Sequence, residues 1–146
     1  MDLKDKVLPH NLDAEQATLG AMLLDWGAVS DVVTYLRSSN FYSQQNQVIF
    51  ESLMALFSSG ITGDLLTLID HLTKNGKLEA AGGAAYISSL TDKVPTSANV
   101  DYYAKIVLDQ STRRNLIKIS SEIKADSYNE TKESRLVLEE AEQKIF

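Results

Sequence analysis

The sequence predicts an all-α protein with a compact multi-helix head followed by a long helix and a helical hairpin. Apolar residues recur at spacings of three and four, as in amphipathic helices, and no stretch alternates as a strand pair would. The stretch from Ser97 to Asp126 contains neither Gly nor Pro. With 44% hydrophobic residues, the 146-residue chain can bury a core. We expect a disordered lead over residues 1–9, the head over 10–96 and the hairpin over 97–146.

In the head, capping residues mark the helix boundaries. Asn11, Ser43 and Asp64 each precede an apolar-periodic stretch and are residue types that cap helix starts. Asn75-Gly76 is typical of a helix end with a left-handed residue. Gly82-Gly83 predicts a small turn before a short fifth helix.

Other residues of the head indicate how its helices pack. Asp13 and Glu15 lie in the first turn of the first helix, where a negative charge complements the helix dipole. Gly20 in mid-helix costs roughly 1 kcal/mol relative to Ala, so it indicates a close packing contact. A second amphipathic helix is expected over residues 26–36, and Phe41-Tyr42 is expected to fill a gap between helices.

The long helix is the largest predicted element. It follows Pro95 and begins after Thr96-Ser97, two residue types that favour helix starts. At a rise of ~1.5 Å per residue it measures roughly 43–45 Å, which exceeds a small domain. Part of its apolar stripe must therefore pack against a hairpin partner or a second chain.

A last helix is predicted after a polar turn over residues 126–130, with Thr131 as its cap. The pattern is still running at Phe146, so we expect the chain to be a fragment of a longer protein. The apolar side of this helix is formed by Val137, Leu138, Ala141 and Ile145.

The charge is unevenly distributed. The whole chain carries −6, which weighs against strong DNA binding, because phosphate contacts depend largely on Lys and Arg. Residues 97–125 carry 5 basic and 3 acidic residues (+2), and residues 126–146 carry 3 basic and 6 acidic residues (−3). The two segments are therefore expected to lie antiparallel, although exposed ion pairs add little stability.

The sequence also indicates a compartment. No run approaches the ~18 apolar residues of a membrane span, and the charged N-terminus lacks the apolar core of a signal peptide. The chain has no Cys, so disulfides and thiolate metal sites are excluded. We expect a cytoplasmic protein.

No catalytic, cofactor-binding or metal site is expected. Gly76-Lys77 lacks the upstream glycine of a P-loop. His10 and His71 have no partner at a metal-ligand spacing, so we expect surface or capping roles for them. Arg113-Arg114 could contact phosphates or, equally, pair with the acidic last helix. We expect this chain not to be an enzyme by itself.

An ordered set of residues resembles the N-terminal domain of the bacterial replicative DNA helicase of the DnaB type. The set runs in order through nearly the whole chain, and the one departure is Thr62-Gly63, where the family often has Pro and an aliphatic residue. The matching residues are Pro9-His10-Asn11, Asp13-Ala14-Glu15-Gln16, Leu19-Gly20, Phe41-Tyr42, Ile49-Phe50, Asp64, Thr67, Gly82-Gly83, Tyr86, Leu90, Pro95, Asn99, Tyr103-Ala104, Ile106-Val107 and Arg114.

The resemblance implies a non-catalytic role in DNA replication. In the family this domain forms a collar on a hexameric helicase ring, with hairpins that pair between subunits to give a trimer of dimers. It docks the C-terminal domain of primase, and a helicase loader is a further possible partner. The family's ATP-dependent 5′–3′ DNA helicase activity, with its ATP and Mg, belongs to a motor domain that this chain lacks. DNA contact by this domain is expected to be weak or absent.

The resemblance also implies site residues. Asp13 and Tyr86 are expected to contact primase. The alternatives are a first-turn charge for Asp13 and a core aromatic for Tyr86. For self-association, with packing inside one hairpin as the alternative, we expect the apolar residues Leu116, Ile117, Ile119, Ile123, Val137, Leu138 and Ile145.

Two other functions stay open. The basic long helix could guide single-stranded nucleic acid, because Tyr102 and Tyr103 lie near Lys105 and Arg113-Arg114, although neighbouring acids dilute this patch. An unrelated helical adaptor is the third possibility, and the ordered residue match weighs against it.

Overall fold

The computed structural model describes residues 7–94 and 99–146, which form seven α-helices and no β-strand. The predicted all-α fold is therefore confirmed. None of the helices in these ranges is long and apolar enough to cross a membrane. The helices are α1 (Leu12–Leu24), α2 (Val29–Val32), α3 (Gln44–Ser58), α4 (Leu65–Lys74), α5 (Gly83–Ser89), α6 (Val100–Tyr128) and α7 (Ser134–Ile145).

The chain divides into two compact units. The first is His10–Ser111, and the second comprises Thr112–Phe146 and the segment that ends at Pro9. The predicted head boundary after residue 96, and the predicted helix start at Pro95 and Thr96-Ser97, lie outside the described residues, as does most of the predicted disordered lead. These remain predictions.

The three predicted helix caps of the first unit, Asn11, Ser43 and Asp64, are confirmed. The Ala14 amide donates to Oδ1 of Asn11 at 2.9 Å at the start of α1. Ser43 caps α3 in the same way, through the amide of Asn46. At α4 the caps are reciprocal, because Asp64 accepts from the Thr67 amide and the Thr67 hydroxyl accepts from the Asp64 amide, both at 2.9 Å.

The predicted left-handed helix end at Asn75-Gly76 and the predicted turn at Gly82-Gly83 are also present. Gly76 has a φ of 66° after the last turn of α4. Gly82 and Gly83 have φ values of 97° and 86° before α5. These values lie in the region that residues with a Cβ rarely adopt, so glycine is required for both turns.

The predicted second helix over residues 26–36 is largely wrong. The structure has one 3₁₀ turn over Trp26–Ala28, the short α2, and then hydrogen-bonded turns up to Leu36. The apolar spacing was informative, because Val29, Val32 and Leu36 are all buried. Several β-branched residues in this stretch lower its helix propensity, so burial is achieved without a continuous helix.

The end of α6 and the start of α7 also differ from the prediction. The long helix continues to Tyr128 rather than ending at Asp126. Thr131 does not cap α7, which begins at Ser134 with Glu133 at the cap position. The Thr131 backbone and hydroxyl both bond to Oδ1 of Asn129 instead, so Thr131 belongs to the turn.

The core of the first unit joins α1, α3, α4, α5 and the first turns of α6. Phe41 packs on Phe50, with ring centroids 5.0 Å apart, as expected for a ring between helices. Tyr42 does not fill the gap, because it is 40% exposed and stacks on His10 with ring centroids 4.3 Å apart.

Candidate partner-docking and self-association sites

A buried hydrogen-bond chain connects α1, α3 and α5. At its inner end, Glu15 is 1% exposed and accepts from the backbone amides of Tyr42 and Ser43 at 2.8 and 3.3 Å. It also accepts from Nδ2 of Asn46 at 3.0 Å. Glu15 was expected to complement the dipole of its own helix α1, but its carboxylate binds the amides that open α3, where the dipole favours negative charge.

Tyr86 lies at the outer end of this chain. Its hydroxyl donates to Oδ1 of Asn46 at 2.5 Å and accepts from Nε2 of Gln16 at 3.5 Å. The ring lies against Gly82, where a Cβ would fall 2.7 Å from the Tyr86 ring. Tyr86 is half-buried, and it packs against the core. The hydroxyl is thus fixed by Asn46 and the ring lies against Gly82, while part of the side chain remains at the surface.

The pKa of Tyr86 is raised above its ordinary value. Burial is the largest cause, and the negative charge of Glu15 acts in the same direction, against the hydrogen bonds with Gln16 and Asn46. Tyr86 is therefore a neutral phenol at physiological pH, with a hydrogen to donate.

Asp13 and Tyr86 are connected indirectly. Asp13 is exposed in the first turn of α1, and Gln16 lies three residues further along the same helix. Side chains three apart lie on one helix face. Since Gln16 bonds to the Tyr86 hydroxyl, Asp13 and Tyr86 border the same part of the surface of the first unit. We call Asp13, Gln16 and Tyr86 the Tyr86 surface.

Asn46 and Glu15 are the residues of this site that the sequence reasoning missed. Glu15, Thr18, Leu19 and Met22 are spaced i, i+3, i+4 and i+7, and all four are buried. This spacing places Glu15 on the buried face of α1, a signal that was present in the sequence. Asn46 carried no such signal, because its partners come from α1 and α5.

The apolar residues expected for self-association lie in the second unit, on α6 and α7. Leu138 is 62% exposed, and Leu116, Ile117 and Ile145 are also exposed. Ile119 differs, because it is only 9% exposed within the single chain.

The two half-buried members of the set, Ile123 and Val137, line a groove between α6 and α7. The groove has a volume of about 500 Å³, and Leu138 and Ala141 complete its apolar wall. Polar residues from the turn, among them Lys132, line its other end. One hairpin therefore leaves an apolar groove and exposed apolar side chains uncovered by its own atoms.

Ion pairs connect α6 to the turn and to α7. They differ from the expected pairing of a basic long helix with an acidic last helix, because α6 contributes the acids Glu122 and Asp126 while the turn and α7 contribute the lysines. Lys144 lies 3.3 Å from Asp126 and 3.4 Å from Glu122. Lys132 lies 3.5 Å from Asp126 and 2.8 Å from Glu140. We call these five residues the hairpin ion cluster.

The contacts within the hairpin ion cluster shift the pKa values of Asp126, Lys132 and Lys144. The hydrogen bond from Lys144 and the charges of both lysines lower the pKa of Asp126, although partial burial opposes them. The hydrogen bond to Glu140 raises the pKa of Lys132. Burial lowers the pKa of Lys144, but Asp126 and Glu122 outweigh this and raise it overall.

The basic residues of α6 are partly engaged by the chain itself. Lys105 lies 3.0 Å from Asp101, which in turn accepts from the Tyr35 hydroxyl at 2.5 Å. Nη1 of Arg114 donates to the Pro9 carbonyl at 2.8 Å. Tyr102 is exposed, whereas Tyr103 packs against the core. These residues do not present one continuous row of stacking rings and free cations.

The two histidines contact neighbouring side chains. Within residues 7–94 and 99–146, no three His, Cys, Asp or Glu side chains are placed to hold a metal ion. Nδ1 of His71 lies 2.5 Å from the hydroxyl of Ser52, so His71 connects α4 to α3. His10 stacks on Tyr42.

Comparison with known proteins identifies the class. The model of the DnaB-like helicase N-terminal domain matches residues 7–109. The crystal structure of the N-terminal domain of DnaB helicase from Mycobacterium tuberculosis superimposes with a TM-score of 0.89 at 33% identity, covering 95% of this chain and 99% of that one. The chain belongs to the DnaB-like helicase N-terminal domain family.

Longer relatives extend the comparison. The replicative DNA helicase DnaB of Treponema pallidum (strain Nichols) is 46% identical over 145 residues, which is 99% of this chain and 33% of that protein. The chain thus spans about a third of the length of this relative. A DnaB-like replicative helicase, described together with its interactions with primase, shares the fold with a TM-score of 0.77 at 21% identity, over 92% of this chain and 31% of that one.

Proposed function

We propose that the chain is the N-terminal collar domain of a hexameric replicative DNA helicase, which helps to assemble the ring and docks primase. The whole protein is then an ATP-dependent 5′–3′ DNA helicase of the cytoplasm. Its ATP and Mg are held by a motor domain that this chain does not include, and this chain itself carries out no catalysis. A helicase loader is a further partner.

Ring assembly is supported by the apolar surface of the second unit. Leu116, Ile117, Leu138 and Ile145 are exposed, and the groove beside Ile123 and Val137 is open. Contiguous exposed apolar surface is typical of an interaction site. A second copy offers the same residues, so two hairpins can cover one another with a self-complementary interface. Dimers made this way can join as a trimer of dimers.

Docking of primase is supported by the Tyr86 surface and by one relative. A DnaB-like helicase of the same fold is described with its interactions with primase. In this chain, Tyr86 is a half-buried aromatic with a held ring, and tyrosines of this kind are frequent anchors in protein interfaces. The exposed Asp13 adds a negative charge to the same surface.

The docking role is tested by calorimetric titration of this chain with the C-terminal domain of primase from the same organism. We expect saturable binding that weakens at least about tenfold when Tyr86→Ala removes the anchor. The matched control is Tyr102→Ala, because Tyr102 is an exposed tyrosine outside the Tyr86 surface. Equal affinities for both variants would contradict this placement of the site, and no binding at all would contradict docking by this domain.

The alternative of a nucleic-acid guide has less support. Lys105 and Arg114 are engaged within the chain, and the net charge of the chain is −6. Contact with DNA is therefore proposed to be weak or absent. Titration of an oligonucleotide at two salt concentrations tests this, because phosphate contacts make the affinity fall steeply with salt. A steep, saturable salt dependence would favour the guide function instead.

A further inference from the structure

The hydrogen bonds between Glu15 and Tyr86 have a fixed direction. The carboxylate of Glu15 faces three N–H groups, those of Tyr42, Ser43 and the Asn46 side chain. An ionised carboxylate can only accept, so Asn46 must turn its NH₂ toward Glu15. This leaves the carbonyl of Asn46 facing Tyr86, and the Tyr86 hydroxyl must donate its single hydrogen there.

This direction determines what the Tyr86 hydroxyl can still do. A phenol has one hydrogen to donate and accepts through its oxygen. Its hydrogen is committed to Asn46, and the contact from Nε2 of Gln16 at 3.5 Å is at the outer limit of a hydrogen bond. The hydroxyl is therefore available to a further group only as an acceptor. The side-chain NH₂ of Gln16 is an example of a donor that can bond to it.

We infer that Glu15 is a positioning residue which, through Asn46, makes the Tyr86 hydroxyl an obligate acceptor, so that the docked primase domain presents a hydrogen-bond donor to it. The donor is an N–H or O–H group, such as an Arg, Lys, Asn or Gln side chain. This inference rests on the proposed docking function. Glu15 then contributes to docking although it lies outside the Tyr86 surface, and the group of primase that contacts Tyr86 is a hydrogen-bond donor.

Glu15→Gln tests the inference, because it replaces one acceptor oxygen by an NH₂ group. A glutamine at this position must lose one of the two backbone amides, and keeping the shorter bond, from Tyr42 at 2.8 Å rather than from Ser43 at 3.3 Å, places its NH₂ toward Asn46. The Asn46 side chain then turns over, so that its carbonyl accepts from the glutamine and its NH₂ faces Tyr86. The Tyr86 hydroxyl then accepts from Asn46 and points its hydrogen outward. Glu51→Gln is the matched control, since Glu51 is an exposed acid on α3 and the same substitution there removes the same charge.

The first readout needs no partner. In NMR spectra of the unsubstituted chain, the side-chain amide protons of Asn46 should show their strongest NOEs to Glu15. In Glu15→Gln these NOEs should shift to the Tyr86 ring. An unchanged NOE pattern in a folded Glu15→Gln variant would overturn the inference. If that variant does not fold, dominant Asn46–Tyr86 amide NOEs in the unsubstituted chain would overturn it as well.

The second readout is affinity for the primase C-terminal domain. Tyr86→Phe removes the acceptor and should weaken binding by about fivefold to tenfold, as expected for one buried hydrogen bond. Glu15→Gln should weaken binding at least as much, because the outward hydrogen of the Tyr86 hydroxyl would then face the hydrogen-bond donor of primase. The double variant, Glu15→Gln with Tyr86→Phe, should bind no more weakly than whichever single variant binds primase more weakly, since both changes remove the same acceptor.

The outcomes separate the two proposals. If Tyr86→Phe weakens binding while Glu15→Gln does not, or if the two losses add, Glu15 does not act through Tyr86 and the inference is overturned with the docking site intact. If Tyr86→Ala binds as tightly as the unsubstituted chain, the docking site itself is wrong, and the donor contact falls with it. The NOE pattern would still decide the direction of the Glu15–Asn46–Tyr86 chain.

Discussion

Gly20 of α1 lies against the backbone of Leu90, so closely that a Cβ at position 20 would fall 2.1 Å from the Leu90 carbonyl oxygen. The neighbouring atom belongs to the backbone and cannot swing away as a flexible side chain would. The sequence predicted a packing reason for this glycine, and the structure confirms it. α1 and the 3₁₀ turn Leu90–Lys93 can approach this closely only because position 20 has no side chain.

Gly20→Ala should lower the free energy of unfolding by about 2 kcal/mol, because the steric cost of overpacking exceeds the gain in helix propensity. Urea denaturation followed by circular dichroism measures this. Gly27→Ala is the control, since a Cβ at Gly27 would meet only the Asp25 side chain, at 3.4 Å. Equal losses in the two variants would contradict the close contact with Leu90.

Asp64→Ala should destabilise the protein by about 1 kcal/mol, because it removes the side-chain half of the reciprocal cap with Thr67. Asp64→Asn should retain most of the stability, since asparagine caps helices about as well. Thermal unfolding of the two variants provides the comparison. A loss as large in Asp64→Asn as in Asp64→Ala would mean that the cap is not what Asp64 contributes.

Leu138→Asp should convert the protein from dimers or larger assemblies to monomers. Leu138 is 62% exposed and lines the groove between α6 and α7, so a charge there would be buried at the proposed interface without a partner. Sedimentation velocity measures the assembly state. Ile119 belongs to the set predicted for self-association, but a charge at Ile119 is a poor test of assembly because it would be buried within the single chain.

Leu66→Asp is the control for this experiment. Leu66 is 79% exposed on α4 of the first unit, and the same substitution there should leave assembly unchanged. The proposed pairing of hairpins is wrong if the unsubstituted protein sediments as a monomer at high concentration. It is also wrong if the Leu138→Asp variant forms the same assemblies as the unsubstituted protein.

The helical order of α7 should fall in acid because of Asp126. Lys144 and Lys132 hold the pKa of this carboxyl below its ordinary value of 3.8. A folded-state pKa below the unfolded one stabilises the fold above about pH 3.8, and this contribution is lost as the pH falls through the lower, folded-state value. Hydrogen exchange of the α7 amides across this pH range should show the loss.

The lysines of the same cluster act at the opposite end of the scale. Their raised pKa values stabilise the hairpin fully below about pH 10.5, and this contribution is lost as the pH rises through the higher, folded-state values. Asp126→Asn should remove the acid-side loss and weaken both lysine shifts. An unchanged acid-side loss of α7 order in Asp126→Asn would show that another group carries it.

The features predicted well from sequence are those that depend on neighbouring residues. Asn11, Ser43 and Asp64 cap their helices through bonds that span three residues, so each start can be read in a short window. Gly82 adopts the left-handed conformation because the local turn requires it. In each case the chain forms the feature with little help from the rest of the fold.

The features that the sequence did not reveal depend on distant partners. Glu15 and Asn46 are 31 residues apart, and Asn46 and Tyr86 are 40 apart, so no local pattern connects them. The stretch over residues 26–36 shows the reverse case, since its apolar spacing fits a helix but its β-branched residues do not sustain one. Thr131 had the right residue type for a cap, but Asn129 engages its hydroxyl.

The exposed character of α7 ties its folding to the amount of protein present. In Ser134–Ile145, which the structure describes throughout, no residue is buried from solvent, and an isolated helix of this length is marginal in water. If two hairpins cover each other as proposed, each copy stabilises α7 of the other by mass action. The helical order of α7 should therefore fall when the protein is diluted and rise when it is concentrated. A second copy of the chain then stabilises α7 as a bound ligand would.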